Sequence, residues 1–120
     1  MDIRNLFKKT KEAKKFKAGK TICQEGTPGD SMYVVLDGEL VVSAGGKLIE
    51  VAKPGDVVGE MALIDTKSRS ATVVAKTDCK LVPLNEKRFL VLVHETPIFA
   101  LLVMRTMADR LRRMIATRAS

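Results

Sequence analysis

The hydrophobic and polar positions of the chain change their period twice. From residue 16 to 84, short apolar runs alternate with dense turn signals, a pattern typical of β-strands that recur roughly every eight to twelve residues. The predicted strands are Thr21–Cys23, Met32–Leu36, Glu39–Ser43, Lys47–Ala52, Val57–Val58, Ala71–Ala75 and Lys80–Leu84. Asp37-Gly38 predicts a tight hairpin, because glycine accepts the positive φ of a primed turn. Together these strands favour an antiparallel β jelly roll.

The first residues have the period of a helix instead. Their apolar side chains are spaced to share one face while lysines cover the rest, and Asp2 is placed to cap the first turn. Lys14 and Lys15 suit a last turn, where cations meet the negative end of the helix dipole. We therefore expect a basic N-terminal helix over residues 1–15 and one domain over residues 16–120.

The helical period returns after the last predicted strand. Asn85 can cap a helix over about Glu86–His94, and Thr96 can cap a second helix with Pro97 at its first position. The two C-terminal helices thus cover about residues 85–118.

The second of these helices carries two apolar stripes. One has the heptad spacing of a coiled-coil seam and consists of Leu101, Met104, Ala108, Leu111 and Ile115. The neighbouring stripe consists of Val103, Met107 and Met114. Such a helix can pack on its own domain with one face and meet a protein partner, or a second copy of the chain, with the other.

Composition limits the function classes. The 120 residues suit one domain, and the net charge of +7 is concentrated at the two ends of the chain, while the middle is mildly acidic. Nucleic-acid binding over the whole surface is therefore not expected. Two cysteines without a C-x-x-C motif, and no secretory signal, indicate a reduced, cytoplasmic protein. The apolar run Ile98–Met104 is too short for a transmembrane segment.

The segment from Gly59 to Thr72 carries the candidate chemistry. It begins with a predicted single helical turn over residues 60–63, and a helix N-terminus exposes backbone N–H groups that suit an anion. Arg69 supplies a planar fork of donors for phosphate oxygens. Glu60 would repel a phosphate, but its carboxylate can accept from a ligand hydroxyl a few ångströms away. Phosphate and hydroxyl in one small ligand indicate a ribose phosphate.

The spacing G-E-M-A-L-x5-R-S-A-T resembles the phosphate-binding cassette of the cyclic nucleotide-binding domain family, which includes the catabolite activator protein, cyclic-AMP-dependent kinase regulatory subunits and cyclic-nucleotide-gated channels. Flanking segments resemble the same domain in order: Phe16–Ile22, Glu25-Gly26, Met32–Leu40 and Pro54–Glu60. About residues 16–113 are covered. The resemblance implies a mainly β fold, an antiparallel jelly roll with an N-terminal helix and two C-terminal helices.

The resemblance also implies the ligand contacts. Gly59 and Ala62 would donate backbone N–H groups to the cyclic phosphate, Arg69 would pair with it, and Glu60 would accept from the ribose 2′-hydroxyl. The remaining cassette residues in the implied ligand-binding set are Met61, Ser70 and Ala71. The base would lie against apolar strand residues, with the last helix as a lid; these contacts are Val42, Val58, Val73 and Met114.

The expected ligand is cAMP, because Ser70 stands where cyclic-GMP-selective relatives often carry threonine. Two alternatives stay open: a cGMP-selective member, and a degenerate, ligand-free member that binds proteins through its basic termini. We expect signalling through movement of the terminal helices, and no specific DNA binding, because no helix-turn-helix follows the last helix. With His94 as the single histidine, a metal-dependent enzyme of the cupin type is not expected either, nor any metal, cofactor or catalytic residue.

Overall fold

The computed structural model describes residues 2–64 and 68–119, with side chains as far as residue 116. Within these residues the strands are β1 (Lys14–Phe16), β2 (Thr21–Cys23), β3 (Ser31–Asp37), β4 (Leu40–Ala44), β5 (Lys47–Ala52), β6 (Val57–Val58), β7 (Thr72–Ala75) and β8 (Cys79–Asn85). The helical elements are a 3-10 helix (Ile3–Phe7), α1 (Met61–Ile64), α2 (Glu86–Glu95) and α3 (Ile98–Ala119). The predicted mainly β architecture with flanking helices is confirmed.

The strands form two four-stranded antiparallel sheets. One has the order β1-β8-β3-β6 and the other the order β2-β7-β4-β5. Buried side chains from both sheets share one apolar cluster, which includes Val35, Leu81, Leu40, Val42, Ala52, Val73 and Ala75. Burial of these side chains between the sheets stabilises the antiparallel β jelly roll that the spacing of the strands predicts.

The N-terminal helix predicted over residues 1–15 is wrong beyond Phe7. Ile3 and Phe7 are buried in the core, and Asp2 caps their 3-10 helix by accepting from a backbone N–H of its first turn. Lys14–Phe16 instead form β1, which pairs antiparallel with β8. The lysine-rich segment has few apolar side chains to bury along a helix, whereas the edge of β8 satisfies its backbone N–H and C=O groups.

The predicted Asp37-Gly38 hairpin is also wrong, although the turn itself is present. Gly38 has φ +84°, and a Cβ atom there would lie 2.4 Å from the Asp78 carbonyl oxygen. The turn carries the chain from β3 in one sheet to β4 in the other. Turn residues specify only the reversal of the chain, while the extended, buried pairing of β3 with β8 specifies the partner strand. The tight hairpin occurs at Gly45-Gly46, between β4 and β5.

Helices α2 and α3 begin close to the predicted positions. The Asn85 side chain accepts from the Arg88 backbone N–H at 2.8 Å, so the predicted cap of α2 is confirmed. The Thr96 backbone N–H donates to the Leu92 carbonyl at 2.8 Å and its own carbonyl accepts from Phe99 at 2.9 Å. Thr96 therefore closes α2 and opens α3 through its backbone.

The two faces of α3 have opposite environments, but the second predicted stripe is only partly inward: Val103 is buried and Met107 partly buried, whereas Met114 is exposed. The inward face is buried in the core through Phe99, Leu102 and Val103. The outward face exposes the apolar side chains of Leu101, Met104, Leu111 and Ile115. The helix thus anchors itself on the β-roll and leaves an uncovered apolar stripe.

In the part of the chain that the structure describes, no single helix has both the length and the apolar composition needed to cross a membrane. Helices α2 and α3 have the required length and apolar composition only when they are taken together, and the chain bends by 116° between them.

Replacing Phe99 with alanine tests the packing of α3. The ring is fully buried and meets Phe7 and Phe89 edge-on at centroid distances of 6.1 and 5.4 Å. Phe99→Ala is expected to lower the free energy of unfolding by about 3–5 kcal/mol, because the buried ring leaves a cavity. Leu111→Ala, on the exposed face, is the control and should change it by about 0.5 kcal/mol or less. Equal losses in urea titrations would contradict this packing.

Candidate functional site

The predicted site residues surround one cavity of about 270 Å³. Strands β2 and β4 to β7, helix α1 and helix α3 contribute its walls. It is lined by all eleven residues predicted from the sequence: Val42, Val58, Gly59, Glu60, Met61, Ala62, Arg69, Ser70, Ala71, Val73 and Met114. Four further lining residues were not predicted: Cys23, Ile49, Glu50 and Arg110. The structure therefore brings the cassette, the apolar wall and the last helix together, while the ligand contacts stay predictions.

Arg69 is buried at the floor of the cassette. Its Nη1 atom donates to the Gly59 carbonyl at 3.1 Å. Its backbone N–H donates to the Thr27 carbonyl at 2.8 Å, and its carbonyl accepts from Gly26 at 2.9 Å. The turn after β2 therefore fixes the backbone on which the guanidinium is carried.

Two glycines provide the space that the Arg69 side chain occupies. A Cβ atom at Gly29 would lie 2.1 Å from Nε, and one at Gly59 would lie 2.6 Å from Nη1. Gly59 also has φ +74°, which favours glycine by itself. Gly29 has no such backbone requirement, so only its contact with Arg69 explains it. The sequence predicts a turn at Gly29, but no local pattern indicates that this glycine makes space for the Arg69 side chain.

Glu60 is buried, and its partner comes from α3. Its Oε1 atom accepts from Arg110 Nη1 at 2.5 Å, while Arg110 Nη2 donates to the Val57 carbonyl at 2.7 Å. Sequence analysis missed Arg110, because it lies 50 residues away in a helix whose apolar stripes dominate the pattern. The lid helix is thus tied directly to the carboxylate that was predicted to hold the ribose.

Glu50 of β5 is the second carboxylate at the same arginine. Its Oε1 atom lies 2.8 Å from Arg110 Nε, and the two side chains are only 12% and 17% exposed. This contact lacks the alignment of a hydrogen bond, and both atoms are buried without a hydrogen-bond partner in the described part of the chain. The attraction between Glu50 and Arg110 is therefore Coulombic.

The charges of the cavity wall are unevenly distributed. Arg110 lies within ion-pair distance of both Glu50 and Glu60. Among the described residues, no carboxylate lies within ion-pair distance of Arg69, whose side chain contacts a backbone carbonyl instead. A buried cation without a counter-ion favours an anion beside it. Phosphate binding by Arg69 stays a prediction, which this environment favours.

Helix α1 begins beside this arginine and confirms the predicted single turn. The Ala62 backbone N–H donates to the Gly59 carbonyl at 3.3 Å, which is long for such a bond. The same carbonyl accepts from Arg69. Donation from Ala62 to a phosphate stays a prediction, and it requires this long bond to be replaced.

The remaining reactive side chains considered from the sequence are two cysteines and one histidine. Cys23 and Cys79 are free and buried, and burial raises the pKa of both thiols, so they stay protonated at neutral pH. His94 lies on the exposed side of α2. No cluster of three or more metal-ligating side chains occurs among residues 2–64 and 68–119.

Comparison with known proteins assigns the family. The sequence pattern that defines the cyclic nucleotide-binding domain matches residues 13–96, which is more than half of the chain. The chain belongs to the cyclic nucleotide-binding domain family. The match begins one residue before β1 and includes the whole cassette, so the family resemblance of the cassette is confirmed.

Individual relatives are longer than this chain. The cAMP-dependent protein kinase regulatory subunit of Aspergillus niger is 42% identical over 80 residues, covering 65% of this chain and 20% of that protein. The cGMP-dependent protein kinase egl-4 of Caenorhabditis elegans is 42% identical over 73 residues, covering 61% and 9%. The Thermus thermophilus catabolite activator protein superposes with a TM-score of 0.75 at 28% identity, covering 89% and 53%. The chain spans a fifth or less of the two kinase relatives.

Replacing Arg110 with methionine tests the link between α3 and the cavity. Methionine keeps much of the side-chain packing but leaves Glu50 and Glu60 without their shared cation. We expect the free energy of unfolding to fall by about 3 kcal/mol, because breaking a buried ion pair leaves an uncompensated charge.

The matched control is Arg112→Met, on the same helix. Among the side chains that the structure describes, Arg112 pairs with Asp109, one turn earlier, and both are well exposed. Exposed pairs contribute about 0–1 kcal/mol, so this variant should be close to the parent protein in thermal and chemical denaturation. Equal losses in the two variants would show that the buried contacts of Arg110 do not stabilise the fold.

Proposed function

We propose that this chain is a cytoplasmic regulatory module without catalytic activity, which binds cAMP in the cavity and signals through its terminal helices. The observation that carries the proposal is the environment of Arg69. Its side chain is buried at the cavity wall, and its guanidinium donates to a backbone carbonyl. The side chain occupies space that two glycines leave open, and it has no carboxylate partner among the described residues. This is the arrangement that a buried phosphodiester anion requires.

The proposed ligand contacts follow the walls of the cavity. The cyclic phosphate lies against Arg69, with backbone N–H groups of Gly59 and Ala62 as further donors and Ser70 and Ala71 at its edge. The ribose 2′-hydroxyl donates to Glu60, which forms a separate, acidic end of the site. Between the sheet and α3, the purine lies on buried apolar side chains, which are Val42, Val58 and Val73, below Met114.

We propose cAMP as the physiological nucleotide and cGMP as the second candidate. The names of the two kinase relatives refer to one nucleotide each. Ser70 lines the cavity and is exposed, so its hydroxyl is available to a ligand. It is one methyl group smaller than the threonine frequent in cyclic-GMP-selective relatives, and the choice of cAMP rests on this difference.

The proposed output is a change in the position or mobility of α3. Arg110 connects this helix to Glu60, so a ribose hydroxyl that donates to Glu60 acts on the same carboxylate that holds the helix. The outward face of α3 exposes an apolar stripe with coiled-coil spacing, which offers a surface to a protein partner or to a second copy of the chain. Ligand binding would thereby shift a population that the partner recognises.

Calorimetric titration with cAMP and cGMP side by side tests the ligand. The chain is expected to bind cAMP more tightly than cGMP. Arg69→Ala should weaken binding by about a hundredfold or more, because roughly 3–5 kcal/mol is lost when a buried anion loses its cationic partner. Arg88→Ala, whose ion pair with Glu12 lies outside the cavity, should bind as the parent does. A near-normal dissociation constant for Arg69→Ala would remove Arg69 from this role.

Hydrogen exchange of α3 tests the signalling step. On saturation with cAMP, the backbone amides of residues 98–116 should exchange at a changed rate, because Glu60 acquires a second partner and the lid closes over the base. The amides of β3 and β8, which pair with each other in the middle of their sheet, are the internal control. Identical exchange of α3 with and without bound ligand would contradict signalling through this helix.

A further inference from the structure

The lysine-rich N-terminal segment has no part in the nucleotide cavity. We propose that it forms, with one lysine of β8, a docking surface for an anionic lipid bilayer, which it binds through the charge of acidic headgroups. This basic edge consists of Lys8, Lys9, Lys11, Lys14, Lys15, Lys17, Lys20 and Lys80, all of which are exposed. None of these residues lines the proposed nucleotide site. The inference is therefore independent of the proposed function.

Strand pairing brings lysines from two distant segments together. Lys15 of β1 is directly opposite Lys80 of β8 in the antiparallel pair. A hollow of about 230 Å³ at this place is lined in part by Lys15, Lys17, Lys80, Asp37 and Asp78. Like charges directly opposite each other destabilise a sheet. Among the described residues, no carboxylate lies within ion-pair distance of Lys15 or Lys80, so the fold itself does not offset this repulsion.

The acids near the basic edge already have partners within the chain. Glu12 is the one acid among residues 8–20, and its carboxylate pairs with Arg88 of α2 at 3.1 Å. Asp37 and Asp78 each accept from a backbone N–H group. In the described part of the chain, Lys17 is the one lysine of the edge with a carboxylate within ion-pair distance, Asp78 at 3.7 Å. The basic edge therefore keeps a large excess of positive charge.

Protection of a sheet edge does not account for this arrangement. Lysines on an edge strand oppose the pairing of that strand with another chain, and β1 is an edge strand of its sheet. Lys80, however, belongs to β8, an inner strand with a neighbour on each side. Lys8, Lys9 and Lys11 precede β1 and belong to no strand. The positive charge thus extends well beyond the strand edge that it would protect.

The side chains of this surface favour a bilayer over a protein or a nucleic acid. No large apolar side chain among residues 2–23 is exposed, so the surface lacks the aromatic or aliphatic anchors that protein interfaces bury. Residues 8–20 contain seven lysines and no arginine, whereas contacts to base edges and planar recognition of phosphate favour arginine. A cluster of lysines that attracts headgroups without a defined geometry is typical of binding to acidic lipids.

Vesicle flotation tests this inference on the full chain in the absence of nucleotide. Phosphatidylcholine vesicles that contain about a third phosphatidylserine are expected to carry the chain with them at low salt, whereas vesicles of phosphatidylcholine alone should not. The double variant Lys15→Gln and Lys80→Gln should weaken partition onto the acidic vesicles by about tenfold or more, because each lysine near the surface adds to the attraction. About 0.5 M NaCl should release the parent chain, since salt screens the charges.

The matched control is the double variant Lys47→Gln and Lys53→Gln. Both lysines are exposed, and they lie at the two ends of β5 in the other sheet. The control has the same net charge as the first variant, and it should bind acidic vesicles within about twofold of the parent, because charges beyond a Debye length of the bilayer contribute little. The triple replacement of Lys8, Lys9 and Lys11 by glutamine lies outside the strands. It should also lose binding by about tenfold or more, which covers the case that the β1 and β8 variant does not fold.

Three results would overturn this inference. Equal losses in the two double variants would show that net charge, and not the basic edge, determines binding. Equal binding to vesicles with and without phosphatidylserine would exclude headgroup charge as the cause. Binding of a DNA duplex that depends on Lys15 and Lys80, with no binding to acidic vesicles, would assign the edge to nucleic acid instead. Because the flotation contains no nucleotide, each of these results leaves cyclic nucleotide binding to its own titration.

Discussion

The organisation of the site depends on one arginine that is shared by the buried carboxylate of Glu60 and the partly buried carboxylate of Glu50. Arg110 reaches from α3 to Glu60 beside α1 and to Glu50 of β5. The contact offsets part of the negative charge of the cavity wall, where Arg113 also pairs with Glu50, and it attaches the last helix to the segment predicted to bind the sugar. Without it, the two acids would repel an anionic ligand and each other. Among the described residues, no carboxylate lies within ion-pair distance of Arg69, which we propose as the phosphate partner.

The elements that the sequence predicted well are those that local chemistry determines. β5 and β6 have the predicted bounds, because a turn that contains glycine precedes each of them. Asn85 caps α2 as predicted, since capping involves residues only three positions apart. The cassette was recognisable for the same reason: its arginine and its acid lie nine residues apart on one segment.

The predictions that were wrong or missing have a common physical cause: contacts with distant parts of the chain override the local sequence pattern. Lys14–Phe16 join a sheet because the edge of β8, some 65 residues later, offers hydrogen-bond partners. Asp37-Gly38 connects two sheets because β3 pairs with β8. Gly29 is required by the Arg69 side chain, and Glu50 and Arg110 acquire their roles only when β5 and α3 meet. No local pattern carries such information, so the acidic and basic side chains of the cavity could be predicted only in part.

The crystal structure of the chain in complex with cAMP tests the central claim most directly. The account predicts the cyclic phosphate within hydrogen-bond distance of the Arg69 guanidinium, the ribose 2′-hydroxyl on a Glu60 oxygen, and the adenine on the wall that contains Val42. A phosphate bound elsewhere would contradict it. So would a cavity that stays filled by the protein's own side chains at saturating nucleotide.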